Sequence, residues 1–71
     1  MMTKNQSAYA LVYSVLTHKK SHVGVKVYIN TSRPASNSDI RTLCERIRNG
    51  KDGLADAYKD NRGCWHFVTT A

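Results

Sequence analysis

The stretch that decides the fold runs from Ser36 to Gly50 and reads SNSDIRTLCERIRNG. Its apolar residues Ile40, Leu43, Cys44 and Ile47 recur at i, i+3, i+4 and i+7. That spacing places them on one face of an amphipathic helix. The sequence therefore predicts a helix with a narrow apolar stripe, in which Cys44 is a small core residue.

Both ends of this helix carry recognisable signals. Ser36 followed by Asp39 fits a capping box with Asp in place of the usual Glu, and Ser38 is a competing N-cap. Pro34 lies just upstream and cannot continue the helix backwards. Gly50 follows the last periodic residue and supplies a left-handed terminator. We expect the helix to run between these signals.

The length and composition of the chain limit the kind of protein that contains this helix. The chain has 71 residues, of which 41% are hydrophobic and 23% charged, as is typical of a folded globular protein. A chain of this length buries only about 60% of its unfolded surface, so the core must be thin. We expect one domain over residues 1–71, with residues 1–7 loosely held.

The charge balance is strongly basic. Lys and Arg number 11 against 5 Asp and Glu, which gives a net charge of +6. Such a charge favours association with polyanions or with an acidic protein surface. The chain shows no apolar run that could span a bilayer and no signal-peptide pattern, so we expect a cytoplasmic protein without membrane contact, whose two cysteines are reduced.

Two strands are predicted before the helix. The segments Tyr9 to Leu16 and Val23 to Ile29 are rich in β-branched and aromatic residues and flank the polar stretch THKKSH, which indicates an antiparallel hairpin. An even-length turn would place Leu16 opposite Val23 beneath the helix, whereas an odd-length turn would place Tyr9 and its alternate residues there. Since one helix cannot cover both faces, some aromatic surface should remain exposed.

The segment Leu54 to Lys59 has two interpretations. Its Ala and Leu content suits a short helix, but the turn cluster Asp60 to Gly63 and the following CWHFVTT suit a second hairpin. We favour the hairpin because turn chemistry outweighs propensity here. An even turn would pair Tyr58 with Trp65 and put Phe67 on the same face. Trp65 and Phe67 are then core candidates.

These elements together predict an α+β domain of ββαββ order, in which a small antiparallel sheet carries one helix packed on one face. The order of the strands within the sheet stays open. No internal repeat, low-complexity tract or domain linker is visible in the sequence.

Few residues could supply catalytic or metal chemistry: His18, His22, His66, Cys44 and Cys64. Cys64 and His66 are at i and i+2, on one face of a strand, but no Cys-x-x-Cys pair offers further ligands. The sequence also lacks a Gly-rich phosphate loop and a nucleophile elbow. We therefore predict that the protein is not an enzyme and holds neither a metal nor a cofactor.

The basic residues give the stronger signal. Arg41 and Arg48 are seven apart and project in neighbouring directions from the helix. Exposed Tyr13 or Tyr28 could stack on bases, as aromatics do in single-strand binders. Alternatively the basic flank is merely solvated, with Glu45 pairing Arg41 or Arg48. The predicted nucleic-acid or partner-binding residues are Lys19, Lys20, Lys26, Tyr28, Arg33, Arg41, Arg48, Lys51 and Arg62.

The C-terminal segment carries one resemblance to a known family. Residues Ala57 to Asn61 read AYKDN, and Trp65 follows seven residues after Tyr58. This pattern resembles the closing hairpin of a small phage-type anti-CRISPR protein that inhibits type I-F surveillance complexes. The resemblance implies a non-enzymatic inhibitor that docks on a nucleoprotein complex with basic and aromatic residues and occludes a nucleic-acid path.

Two functional predictions of different classes follow. The first is a small basic binding protein, a phage or mobile-element inhibitor or regulator that docks on a host nucleoprotein complex or on nucleic acid. The second is a protein-interaction or self-associating module, compatible with a homodimer. It would bind through the exposed aromatic face of the first hairpin, which carries Tyr9, Leu11, Tyr13 and Tyr28.

Overall fold

The computed structural model describes residues 2–19, of which Lys19 by its backbone alone, and residues 26–70. The α+β class is confirmed, but the element order is αβαββ and the predicted ββαββ order is wrong. The elements in chain order are α1 (Lys4–Lys19), β1 (Val27–Ile29), α2 (Asn37–Arg48), β2 (Gly53–Lys59) and β3 (Trp65–Thr70).

Helix α1 replaces the first predicted strand, Tyr9 to Leu16, so neither hairpin register is formed. Ala8, Val12 and Val15 lie on the side of α1 that packs into the core, and Val12 is fully buried. Their positions, four and three residues apart, follow a helical period and not the alternation of a strand. Burial of this stripe outweighs the strand preference of the β-branched side chains, which is a weak and context-dependent effect.

The start of α1 is fixed by a capping box that lies inside the segment predicted to be loosely held, residues 1–7. The Gln6 N–H donates to Thr3 Oγ1 at 3.1 Å, and the Thr3 N–H donates to Gln6 Oε1 at 2.8 Å. This reciprocal pair satisfies two backbone donors that a helix start otherwise leaves open. Residues 4–7 are therefore the first turn of a helix.

Helix α2 confirms the predicted central helix. The Asp39 N–H donates to Ser36 Oγ at 3.1 Å and the Ser36 N–H donates to Asp39 Oδ2 at 3.0 Å, so Ser36 is the N-cap and Ser38 is not. Gly50 ends the segment with φ of 75°, a left-handed conformation that suits glycine. The predicted stripe is buried as expected, and it consists of Ile40, Leu43, Cys44 and Ile47.

The three strands of the described residues form a mixed sheet in the order β1-β3-β2 and carry two helices, so the predicted antiparallel sheet with a single helix is wrong. Strand β1 contributes only residues 27–29 of the predicted strand Val23 to Ile29, and it pairs with β3 in parallel; residues 20–25 lie outside the described residues. Strands β2 and β3 pair antiparallel. The second hairpin is thus confirmed, with Leu54 to Lys59 as a strand.

The register of this hairpin differs from the prediction by one residue, because Tyr58 lies opposite His66 and not opposite Trp65. The cause is an odd-length loop over residues 60–64. Asp60 closes it twice: its N–H donates to the Cys64 carbonyl at 2.9 Å, and its Oδ1 accepts the Cys64 N–H at 2.9 Å. The Asp side chain thereby keeps Cys64 in the loop.

The register decides which side chains face the helices. Phe67 and Val27 are buried on the helix side, and the partly buried Trp65 packs against the same core. Residues that alternate with them belong to the opposite face. That face carries Val68, which is 40% exposed, and Tyr58, which is 47% exposed. We call it the open sheet face.

Candidate polyanion-binding surface

The positive charge of the protein faces solvent. All described Lys and Arg side chains are exposed, and among them only Arg46 has a carboxylate within 4.0 Å, that of Asp52 at 2.6 Å. Hydrogen bonds to Asp52 raise the pKa of Arg46. The carboxylates are mostly engaged inside the chain, since Asp39 caps α2 and Asp60 accepts a 2.8 Å contact from His66. Apart from Glu45 and Asp56, the uncompensated surface charge of the described residues is therefore cationic.

A groove between α1 and α2 gathers two of the predicted basic residues with two tyrosines. Arg41 and Arg48 lie on the flank of α2 that faces α1. Tyr9 and Tyr13, one turn apart on α1, are stacked with ring centroids 5.8 Å apart and planes at 17°. We call this the interhelical groove; its lining includes Tyr9, Tyr13, Asn37, Arg41, Cys44, Glu45 and Arg48.

The tyrosines of the groove differ in exposure. Tyr9 is partly buried against the core, and the Arg48 guanidinium lies 5.9 Å from the centre of its ring. This cation–π contact holds Arg48 at the groove. Tyr13 is 49% exposed. Tyr9 is thus the anchored ring and Tyr13 is the ring that can receive another planar group.

The groove contains one acidic residue, Glu45, and among the described residues it forms no ion pair. Within the described residues no oxygen of Glu45 lies within 4.0 Å of the charged nitrogens of Arg41 or Arg48. The alternative in which Glu45 pairs with Arg41 or Arg48 on a solvated helix flank is therefore not formed. Both guanidinium groups keep their hydrogen-bond donors available for an external acceptor.

The deeper parts of the groove are uncharged. Burial raises the pKa of the Cys44 thiol, and a hydrogen bond from Tyr9 opposes this rise. The thiol therefore stays protonated at neutral pH and makes a poor nucleophile. Asn37 Oδ1 is buried and has no hydrogen-bond partner in the described part of the chain. A water or a ligand donor would satisfy such an oxygen.

A second cluster lies on the open sheet face. Tyr28, His66 and Tyr58 occupy the same register position on β1, β3 and β2. The His66 ring is stacked between the other two, with centroids 4.8 Å from Tyr28 and 4.9 Å from Tyr58 and planes at 11° and 4°. We call these three side chains the ring row.

A carboxylate fixes the central ring of the row. His66 Nε2 lies 2.8 Å from Asp60 Oδ2. The contact with His66 is the largest cause that lowers the pKa of Asp60, and the backbone N–H of Cys64 adds to it. The loop that sets the hairpin register therefore also orients the middle of the ring row.

The remaining predicted residues are dispersed. Lys26 immediately precedes β1 and Tyr28 lies within it, whereas Arg33 lies in the crossover to α2, where it lines a separate groove with Arg46. Only Arg41 and Arg48 of the predicted set line the interhelical groove. Lys19 is the last residue of α1, and Lys20 lies outside the described residues. Lys51 and Arg62 lie in turns.

The predicted aromatic face of the first hairpin is not formed. Tyr9 and Leu11 belong to α1 and are partly buried against the core, whereas Tyr28 belongs to the sheet. His66 and Tyr58 were not among the predicted site residues. The alternation of CWHFVTT does place His66 on the face opposite Trp65 and Phe67, which is the signal that points to it.

Within residues 2–19 and 26–70, no helix is long and apolar enough to cross a membrane. The same residues contain no group of three His, Cys, Asp or Glu side chains placed to hold a metal ion. Comparisons with protein-family models, curated proteins and solved structures find no match to this chain. The interhelical groove and the ring row are therefore the two candidate functional surfaces.

Proposed function

We propose that the protein is a small non-enzymatic binding protein whose interhelical groove engages phosphate groups of a nucleic acid, either free or exposed on a nucleoprotein complex. One observation carries the proposal. Arg41 and Arg48 line a single groove with Tyr9 and Tyr13, and no carboxylate neutralises either guanidinium within the described residues.

The donor set of the groove suits phosphate. A guanidinium presents a planar fork of N–H donors that matches two phosphate oxygens, and such charge-assisted hydrogen bonds are about twice as strong as neutral ones. Seven residues of helix separate the two side chains by roughly 10 Å along the axis. Their flexible stems allow each guanidinium to reach a different phosphate of one strand.

The tyrosines add a contact that a purely electrostatic surface lacks. The half-exposed ring of Tyr13 lies in the same groove as the arginines. An aromatic ring beside a cationic groove is the combination by which many proteins hold single-stranded nucleic acid. The net charge of +6 would raise the rate of encounter with any polyanion.

A biological role as an inhibitor or regulator belongs to the same proposal. A basic protein that occupies the path of nucleic acid on a host complex would block that path. The likeness of residues Ala57 to Trp65 to the closing hairpin of an anti-CRISPR inhibitor supports a phage or mobile-element origin for such a role.

The test is the salt dependence of binding to a fluorescent single-stranded oligonucleotide, followed by anisotropy. For the wild type, the logarithm of the association constant should fall linearly with the logarithm of salt concentration. Each of Arg41→Gln and Arg48→Gln should reduce the slope by about 0.7, the value for one phosphate contact on a single strand. Both variants should stay folded, because the two side chains are exposed.

The matched control is Arg33→Gln, which removes the same charge from an exposed residue outside the groove. It should change the slope by much less. A flat salt dependence of the wild type would contradict the proposal. So would equal slopes for Arg41→Gln, Arg48→Gln and Arg33→Gln.

A further inference from the structure

The two ends of the ring row differ. The His66 ring has both faces covered, since Tyr28 and Tyr58 stack on it from either side. Beyond Tyr28, the outer edge of β1 is closed by a bridge to Pro34 and by the Ala35 N–H, which donates to the Val27 carbonyl at 2.6 Å. The crossover segment thus lies against that end of the row.

Beyond Tyr58 the row is open. Tyr58 belongs to β2, which is the other edge strand of the sheet, and within the described residues no strand pairs with its outer side. Its side chain is 47% exposed, although one face of its ring is covered by His66. The uncovered face is therefore available to one more planar group.

The charges at this end of the sheet indicate what that group is. Strands β1 and β3 are parallel, so Lys26 and the loop over residues 60–64 lie at the same end. The Trp65 N–H donates to the Lys26 carbonyl at 3.0 Å, which extends the strand pairing to Lys26 and places its side chain on the face of Tyr28. Lys26 and Arg62 are both exposed, and neither has a carboxylate within 4.0 Å among the described residues.

The carboxylate of the loop that carries Arg62 is already engaged. Asp60 accepts from the N–H groups of Arg62 and Cys64 at 2.8 and 2.9 Å and lies 2.8 Å from His66 Nε2. Its negative charge is therefore directed into the loop and the ring row. An anionic ligand that approaches Lys26 and Arg62 therefore meets two cations at this end of the sheet, while the exposed Asp56, which pairs with Val68, lies farther along the strands.

A shallow hollow continues the surface along the strands. The ring row bounds this hollow, and Asn30 and Thr31 also line it. Val68, which is 40% exposed, lies in it. Apolar surface next to exposed ring faces and cations suits the sugar and base of a nucleotide, whose flat face is apolar and whose backbone is anionic.

We infer that the open sheet face is a second nucleic-acid site, which stacks an unpaired base of a single strand on the outer face of Tyr58 while Lys26 and Arg62 meet the adjacent phosphates. This site is separate from the interhelical groove and does not depend on it. The groove contributes the phosphate contacts of Arg41 and Arg48 together with the ring of Tyr13, and the ring row contributes a further base contact. Double-stranded nucleic acid, whose bases are already stacked, has no base to offer at this site.

The experiment compares two oligonucleotides of equal length and equal phosphate number, one with bases and one fully abasic. The wild type should bind the base-containing strand at least about fivefold more tightly, since stacking on an aromatic ring contributes about 1 to 3 kcal/mol per base. Tyr58→Ala should lower this preference by at least about fivefold, and any preference that remains belongs to Tyr13 in the groove. Tyr58→Phe, which keeps the ring and loses only the hydroxyl, should retain the wild-type preference.

The groove variants separate the two proposals. Arg41→Gln and Arg48→Gln should weaken binding of both oligonucleotides by the same factor and leave their ratio unchanged. Circular dichroism should show that Tyr58→Ala keeps the wild-type fold, because the side chain is half exposed.

The inference is overturned if the wild type binds both strands equally, or if Tyr58→Ala keeps the wild-type preference. It is also overturned if Tyr58 serves self-association instead. In that case sedimentation would show a wild-type dimer that Tyr58→Ala dissociates, with no discrimination between the two strands.

Discussion

The interhelical groove and the ring row use opposite means to present aromatic side chains. In the groove, the helical period places Arg41 and Arg48 on one flank of α2 and two stacked tyrosines opposite them. In the ring row, three strands place one ring each at a shared register position, and the cations stay at the rim. Helical spacing mixes charge with rings, whereas strand pairing collects the rings at one register position and leaves the charged side chains around them. The two surfaces should therefore respond differently to salt, to loss of a base and to loss of a cap.

The largest effect is expected at the core that both surfaces share. Phe67 is 1% exposed and lies between the sheet and the helices, so Phe67→Ala should lower the free energy of unfolding by about 3 to 5 kcal/mol. That loss approaches the whole stability of a small domain. Unfolding should destroy the interhelical groove and the ring row together. Urea unfolding measures the loss of stability.

The control is the next residue on the same strand. Val68 is 40% exposed on the open sheet face, and Val68→Ala should change the stability by less than about 0.5 kcal/mol. Similar losses for the two variants would mean that the core does not lie on the Phe67 side of the sheet.

The part of the fold that could be predicted is the part with one dominant pattern. Helix α2 has a clean apolar stripe and signals at both ends, and its cap, stripe and terminator are all confirmed. Arg41 and Arg48 were accordingly identified as neighbours on its flank. The second hairpin was predicted from its turn residues, because Asp60 and Gly63 have few alternatives to a loop.

Helix α1 was missed because its sequence satisfies two patterns at once. Tyr9, Val12, Tyr13 and Val15 are β-branched or aromatic and read as a strand, although Val12 and Val15 are also at helical spacing. Apolar side chains lie on more than one side of α1, since Tyr13 faces the groove and is half exposed. The capping pair Thr3 and Gln6 was the local signal that could have decided for a helix.

The two candidate surfaces were predictable to different degrees, because only part of each belongs to an element with one dominant pattern. The arginine half of the groove follows from one helix, but its tyrosine half requires α1. The ring row requires the register of β2 on β3, and one residue of loop length changes that register. The hydrogen bond by which the Asp60 side chain closes the loop fixes the loop length, and residue spacing alone does not predict that bond.

A smaller effect is expected at the N-terminus of α2, on which the interhelical groove depends and the ring row does not. Ser36→Ala removes the N-cap acceptor of α2, and it should cost about 1 kcal/mol of stability. Fraying of this end should disturb Asn37 and Arg41 in the groove while the ring row keeps its base preference. Unfolding midpoints and the two-oligonucleotide assay measure these effects.

Ser38→Ala is the matched control, because Ser38 competes as a cap in the sequence but does not act as one in the structure. It should leave stability near the wild-type value. A larger loss for Ser38→Ala than for Ser36→Ala would contradict the assigned cap.

The smallest effect concerns the loop beneath the ring row and depends on pH. The pKa of Asp60 is lowered in the folded chain, chiefly by His66. Its contribution to stability is therefore present above the unfolded pKa of about 3.9 and is lost as the pH falls through the lower folded value. Because the Asp60 side chain is 30% exposed, solvent weakens the effect.

Asp60→Asn keeps an oxygen that accepts from the loop N–H groups and removes the titration. The variant should lose less stability than the wild type between about pH 5 and pH 2. Urea unfolding across this range is the measurement. The groove variant Arg41→Gln should keep the acid dependence of the wild type, and an unchanged dependence in Asp60→Asn would show that the pair with His66 does not stabilise the fold.

The most direct test of the central claim is a titration of the whole 15N-labelled chain with a single-stranded oligonucleotide, followed by amide chemical shifts at low and high salt. We predict that low salt brings the largest changes around Tyr13, Arg41 and Arg48, and that high salt removes them. Changes confined to the crossover around Arg33, or shifts in the groove that ignore salt, would contradict the assignment of the interhelical groove as the phosphate-binding surface.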